Sequence, residues 1–341
     1  KNKKFLYSSL KNFNTKDVVS FFENNKCPLK LEDNFKYFPL SNKSEDILNV
    51  FLNKIDKNKI ILNTKVVRIF KKEDLFVVIS NKNVYECKNL IIATGSKSFP
   101  ITASDGDGIE FAKSFNIKTI EFTSAETHIY STQVKNKLSS LQGFSLKDII
   151  IKIKNTKIKH RGDILFTHFG LSGPGIMHIS EDIYFLLKES KDVFLQIQFS
   201  EKKEEEIEMI FKEKNIKIKK MLEKCCSKNV ANLLLQQTKL ENKNVNEISK
   251  KEIDKLKNLI LNYEIKIDKV EDVEKAYVNR GGVCTSELDP KTMQVKNVSS
   301  LYFIGETINL HGPIGGFNLT IAFSSGVLAS KDILSKRYIE V

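Results

Sequence analysis

The sequence predicts an α/β protein built on a doubly wound sheet, with an antiparallel segment and a helical segment in its middle. Three observations carry that expectation. Leu301 to Glu306 reads as a short buried strand with an acidic turn, followed by the glycine-rich loop His311 to Asn318 and an apolar helix from Leu319 to about Ala329. Asn89 to Ser96 reads as a second short apolar strand, ending in Ala93-Thr94-Gly95. Ahead of it the order is helix, hairpin, buried strand, which fits a doubly wound domain whose first strand is missing. The first of these stretches is either an ordinary tight turn or an anion or dinucleotide site. Backbone N–H groups at a helix start have no intrahelical acceptor, and the helix dipole adds roughly half a positive charge there. Side chains at Gly315 and Gly316 would hold a flat ligand off the backbone.

In chain order, Phe5 to Asn25 has apolar residues spaced for two helices, with Asn14 or Thr15 capping the second and Asp17 in its first turn. Pro28 blocks continuation. Phe35 to Leu40 is a short extended piece. Ser44 is the expected cap of a further helix with an apolar face of Ile47, Leu48, Phe51, Leu52 and Ile55. Lys59 to Phe70, Leu75 to Ser80 and Val84 to Cys87 read as strands, the last two joined by the turn Asn81-Lys82-Asn83. After Gly95, Ser104 to Gly108 leads into a helix from Ile109 to Phe115. Asp105 and Asp107 form a single D-x-D, which without further ligands reads as a capped helix start rather than a calcium site.

From Ile120 to about Ser200 strand-like runs recur at spacings that fit antiparallel pairing and a small barrel. Glu201 to Asn262 is charged and helical, and Tyr263 to Asp268 and Ala276 to Cys284 return as strands. His128, His160, His168 and His178 lack metal-ligand spacing, so no metal site is expected. His168 stands as either a hydrogen-bonded structural residue or a functional one.

The charge is +13, from 55 Lys and Arg against 42 Asp and Glu. Because lysines are interleaved with acids along the whole chain, nucleic acid is not the expected partner. No apolar run approaches the ~20 residues of a membrane span. Five cysteines without a C-x-x-C pair read as reduced thiols, and with no signal peptide evident a cytoplasmic location is expected.

The two stretches above, together with Leu165 to Pro174 and Arg280-Gly281-Gly282-Val283 followed by Pro290-Lys291-Thr292-Met293, resemble one family of bacterial flavoproteins. These are the aminoacetone oxidase-like, or BaiN/RdsA-type, NAD(P)/FAD-dependent oxidoreductases. The resemblance implies a Rossmann-like FAD-binding domain over residues 1–120 and 275–341, lacking the first strand and G-x-G-x-x-G loop with which the family begins. It further implies a β-barrel-like domain over 121–200 and 262–274 and a helical insertion over 201–261. FAD is the implied cofactor, NAD(P)H a candidate redox partner, and a small molecule the substrate. Cofactor contacts are implied for Ala93, Thr94 and Gly95 near the adenosine half. Gly305 and Glu306 would meet the ribitol and pyrophosphate, with a sugar hydroxyl as partner of Glu306. Gly315, Gly316, Phe317 and Asn318 would lie against the isoalloxazine. No catalytic residue is identified. The chain departs from the family pattern at Ser96 (Gly), Asn309 and His311 (acids), Phe317 (Tyr) and Gln294-Val295 (Glu-Ser). Two other readings remain open: an RNA-acting flavoprotein of the tRNA-modifying type, and a non-catalytic remnant.

Overall fold

The computed structural model describes residues 2–32, 35–189 and 191–337. The chain divides into two compact units, residues 1–123 with 278–341 and residues 124–277.

In the first unit the parallel sheet is one pair of short strands among the described residues. Leu90–Ile92 runs alongside Leu301–Phe303 in register Leu90 to Leu301. Leu301, Tyr302 and Phe303 are fully buried, as an unbroken apolar run requires. The expected hairpin is a three-stranded antiparallel sheet, Val66–Lys72, Leu75–Ser80 and Val84–Cys87. Its first strand starts seven residues later than the sequence suggests, because residues 57–59 form a 3-10 turn capped by Asp56. Helices Leu6–Asn12 and Thr15–Asn24 lie where the periodicity puts them. Asn14 caps the second by accepting from Lys16 N, and Asp17 reaches back to Asn14 N.

Helix Ser44–Leu52 differs in detail: its cap position is Lys43, Val50 is its buried residue, and Leu48 and Ile55 are exposed. Phe22 and Phe51 pack on Phe323 of the C-terminal helix, ring centroids 5.8 and 5.7 Å away, and Phe21 stacks on Phe51 at 5.8 Å. That helix runs Phe317–Arg337, well past Ala329. No described helix is long and apolar enough to cross a membrane.

The second unit is a seven-stranded antiparallel sheet in the order Tyr263–Ile267, Val193–Ile197, Ser145–Ile153, Lys159–Phe166, Gly170–Ser172, Ile129–Tyr130, Lys269–Val270. The barrel expected from the strand spacing does not close. The two outermost strands are consecutive in the chain, separated only by Asp268, and each pairs on one side. Side chains fill the gap between them instead. Gln133 donates to Glu264 O and accepts from Lys266 N, and Ser131 Oγ donates to Lys266 O.

A helix unforeseen within the β segment, Pro174–Lys188, lies against this sheet. Its signals were local: Pro at the first turn after Gly173, and Ile176, Ile179 and Ile183 at helical spacing, all buried. Helices Glu204–Phe211, Ile218–Cys225, Lys228–Thr238 and Lys250–Leu261 share one continuous apolar core with the sheet. All five cysteines are free.

Candidate functional site

Where two parallel strands end, the chain turns away from the sheet and leaves a crevice at their carboxyl ends. In the first unit these turns are Ala93 to Ser96 and Ile304 to Thr307, and side chains tie them together. Thr307, fully buried, accepts from Gly95 N at 3.2 Å. Ser96 Oγ donates to Glu306 Oε2 at 3.1 Å. Gly305, with φ +64°, donates its N–H to Ser325 Oγ of the C-terminal helix at 3.0 Å. A Cβ on Gly108 would stand 2.4 Å from Thr307 Cγ2 and 2.7 Å from Thr94 Oγ1, so helix Asp107–Ser114 packs on the junction only because that position is bare.

Thr94 Oγ1 is buried and has no hydrogen-bond partner, an expensive condition for a hydroxyl. The residue Thr94 also lines a cleft of about 570 Å³ that runs along Leu90 to Thr94 and includes Lys65, Asp105 and Asp107. Asp105 and Asp107 do not cap the helix: the cap position is Gly106, in left-handed conformation, with no side-chain bond. Both carboxylates instead approach Lys65 Nζ, at 2.5 and 3.4 Å. That hydrogen bond with Lys65 holds Asp105 below the usual carboxylate range, while burial and the charge of Asp105 push Asp107 up.

Gly315 and Gly316 have φ of +136° and +89°, and nothing lies within 4 Å of a Cβ built on Gly316. Asn318 closes the loop ahead of them, accepting from Gly312 N at 2.8 Å and donating to Gly312 O at 3.0 Å. The first bond inside the helix is Thr320 N to Gly316 O, so the amides of Phe317 to Leu319 have no intrahelical acceptor. Phe317 is 56% exposed. At 1.5 Å rise per residue, Asn318 stands about 10 Å along the helix from Ser325. The structure therefore brings Thr94, Gly95, Gly305 and Glu306 together and sets Gly315 to Asn318 at the start of the C-terminal helix, about two turns from Ser325. Sequence reasoning missed Thr307, Ser325 and Ser104, whose Oγ donates to Ser96 O. Hydroxyl residues beside glycine turns were the available signal.

Among the described residues no cluster of three or more His, Cys, Asp or Glu fits a metal ion. His168 is exposed and lies edge-on to Phe169, with no hydrogen bond, so the structural hydrogen-bonded role does not hold. His128 differs. Its Nε2 meets Glu271 Oε2 at 2.9 Å, where Tyr130 OH also donates at 2.8 Å.

Compared with known proteins, the HI0933-like protein Rossmann domain family matches residues 1–332. The ribosomal RNA dihydrouridine synthase of Haemophilus influenzae is 30% identical over 298 residues, covering 85% of this chain and 73% of that protein. The protein of the same name from Escherichia coli is 25% identical, covering 86% and 73%. The 3-dehydro-bile acid delta(4,6)-reductase of Clostridium scindens is 22% identical, covering 96% and 82%.

Proposed function

This chain belongs to the HI0933-like Rossmann domain family, and we propose on that premise that it is an FAD-dependent oxidoreductase, acting on a small molecule with NAD(P)H as its candidate electron source. The observation that carries the reading is the junction at the ends of the parallel pair, where Thr94, its buried hydroxyl without a partner, lines a cleft. Amides without an intrahelical acceptor at the start of the C-terminal helix, and the open space at Gly316, suit a ligand with phosphate oxygens and a flat ring. Ala93, Thr94 and Gly95 would hold the adenosine half, Gly305 and Glu306 the middle, and Gly315, Gly316, Phe317 and Asn318 the ring.

When bound, a flavin supplies the hydride chemistry. The chain's own residues orient and tune. Ser96 holds the Glu306 carboxylate toward the junction. The free amides of the C-terminal helix favour negative charge at its start by ~0.3–2 kcal/mol. Asn318 fixes the loop that presents them.

The test is loading with FAD, followed by gel filtration and visible absorbance. We expect retained flavin and a raised melting temperature, since a ligand stabilises the state it binds. Gly316→Leu should keep the fold and lose the flavin. Colour retained at full occupancy in that variant would sink the assignment of the helix start. Wild-type protein that takes up no FAD and shows no thermal shift would favour the remnant reading. Bleaching by NADH or NADPH without oxygen identifies the electron donor.

A second reading keeps the flavin and makes RNA the substrate. It is favoured by the names of the Haemophilus and Escherichia relatives and by the +13 charge. Dihydrouridine formed in RNA during turnover would select it over the small-molecule reading.

A further inference from the structure

The first unit carries a groove of about 730 Å³ between helix Leu6–Asn12 and the C-terminal helix, floored by the loop at Lys291. Lys11, Lys291 and Lys331 line it, and none has a carboxylate partner among the described residues. Some exposed lysines elsewhere are matched, among them Lys113 with Glu110 and Glu121, Lys147 with Asp163 and Lys224 with Glu213. The one acid in the groove, Asp332, is already neutralised. It receives Lys336 Nζ at 2.6 Å and Tyr302 OH at 2.7 Å. Lys336 also donates to Gln294 Oε1, an uncharged acceptor.

Helical spacing explains the alignment. Lys331 and Asp332 follow Leu328 by three and four residues, and Lys11 follows Tyr7 by four, so each helix brings one lysine to its groove side. Tyr7, 68% exposed, places an aromatic ring among these ammonium groups. Unmatched cations that remain hydrated, spaced along an open channel with an aromatic ring, suit a single-stranded polyanion. Lysines meet successive phosphates and the ring stacks on a base. A single phosphate would need convergent donors, and these lysines are instead spread over two helices and a loop.

We propose that this groove is a docking surface for the sugar-phosphate backbone of single-stranded RNA. The proposal rests on the RNA reading given above, and it concerns a surface distinct from the flavin site.

The experiment measures anisotropy of a labelled oligouridine against full-length protein across a salt series. Three proteins are compared: wild type, Lys11→Gln/Lys291→Gln/Lys331→Gln, and a charge-matched control, Lys113→Gln/Lys147→Gln/Lys224→Gln. The groove variant should bind about tenfold more weakly, and its slope of log affinity against log salt should fall by about two. Its melting temperature and flavin uptake should match wild type. The control should change affinity by less than about twofold. Equal weakening in both variants would mean diffuse charge and overturn the proposal. So would undiminished binding by the groove variant, which would leave the RNA reading standing. Wild-type protein that binds no oligouridine sinks the RNA reading and the groove with it. Phosphatidylserine vesicles provide the last arm: a groove variant that loses vesicle binding alone identifies a membrane surface and refutes the RNA assignment.

Discussion

Glu271 shows how much one side chain can hold. It is 4% exposed, and burial by itself would push its carboxyl up. Hydrogen bonds from Asp272 N, Tyr130 OH and His128 outweigh that and hold it below the usual range. The same carboxylate, with burial as the larger cause, pushes the Tyr130 phenol up to about 12. A depressed folded pKa gives stability that is complete above the unfolded value of about 4.3 and disappears as pH falls through the lower folded value. Glu271→Gln should therefore cost about 1–3 kcal/mol at neutral pH. Urea unfolding of both proteins should show that gap closing on acidification through the carboxylate range. None of this cluster was legible from spacing, because Glu271 lies more than a hundred residues from His128 and Tyr130. The bond of Thr307 to Gly95 N was hidden for the same reason, spanning 212 residues. By contrast, Asn14 and Asp17 were readable, since a capping box is written within four residues.

At the scale of elements, the parallel pair and both N-terminal helices were legible because their signals are short in range. The helix Pro174–Lys188 was missed although its buried isoleucines recur at helical spacing, because strand-like runs flank it on both sides. Its packing is unusually close. Gly175 lies beside Gly162, and a Cβ at Gly175 would stand 2.7 Å from Ile151 Cδ1 and 3.0 Å from Asp163 O. The strand Lys159–Phe166 shifts register between Gly162 and Ile164, which bends it at the contact. Gly175→Val should separate helix from sheet and cost about 3 kcal/mol or more, measured by denaturant midpoint. The start of the C-terminal helix is different: Gly316 has room for a side chain, and only its φ resists one. Substitution there is expected to affect the ligand far more than the fold, which is why it serves as the functional probe.

For the whole molecule, each unit has its own apolar core. Residues 124–277 enter and leave side by side, with Tyr277 N donating to Glu126 O at 3.0 Å. That segment, expressed alone, should fold cooperatively, shown by a single urea transition and native near-ultraviolet dichroism. The barrel expectation erred at this scale, since closure depends on which residues meet across a gap, and spacing cannot say. The filling of that gap has a consequence for life in a crowded solution. A strand with unpaired amides is a template on which another chain can nucleate. By occupying Glu264 O and Lys266 N with its own amide, while Ser131 takes Lys266 O, Gln133 denies Tyr263–Ile267 to strangers, so this protein guards that border with its own side chains.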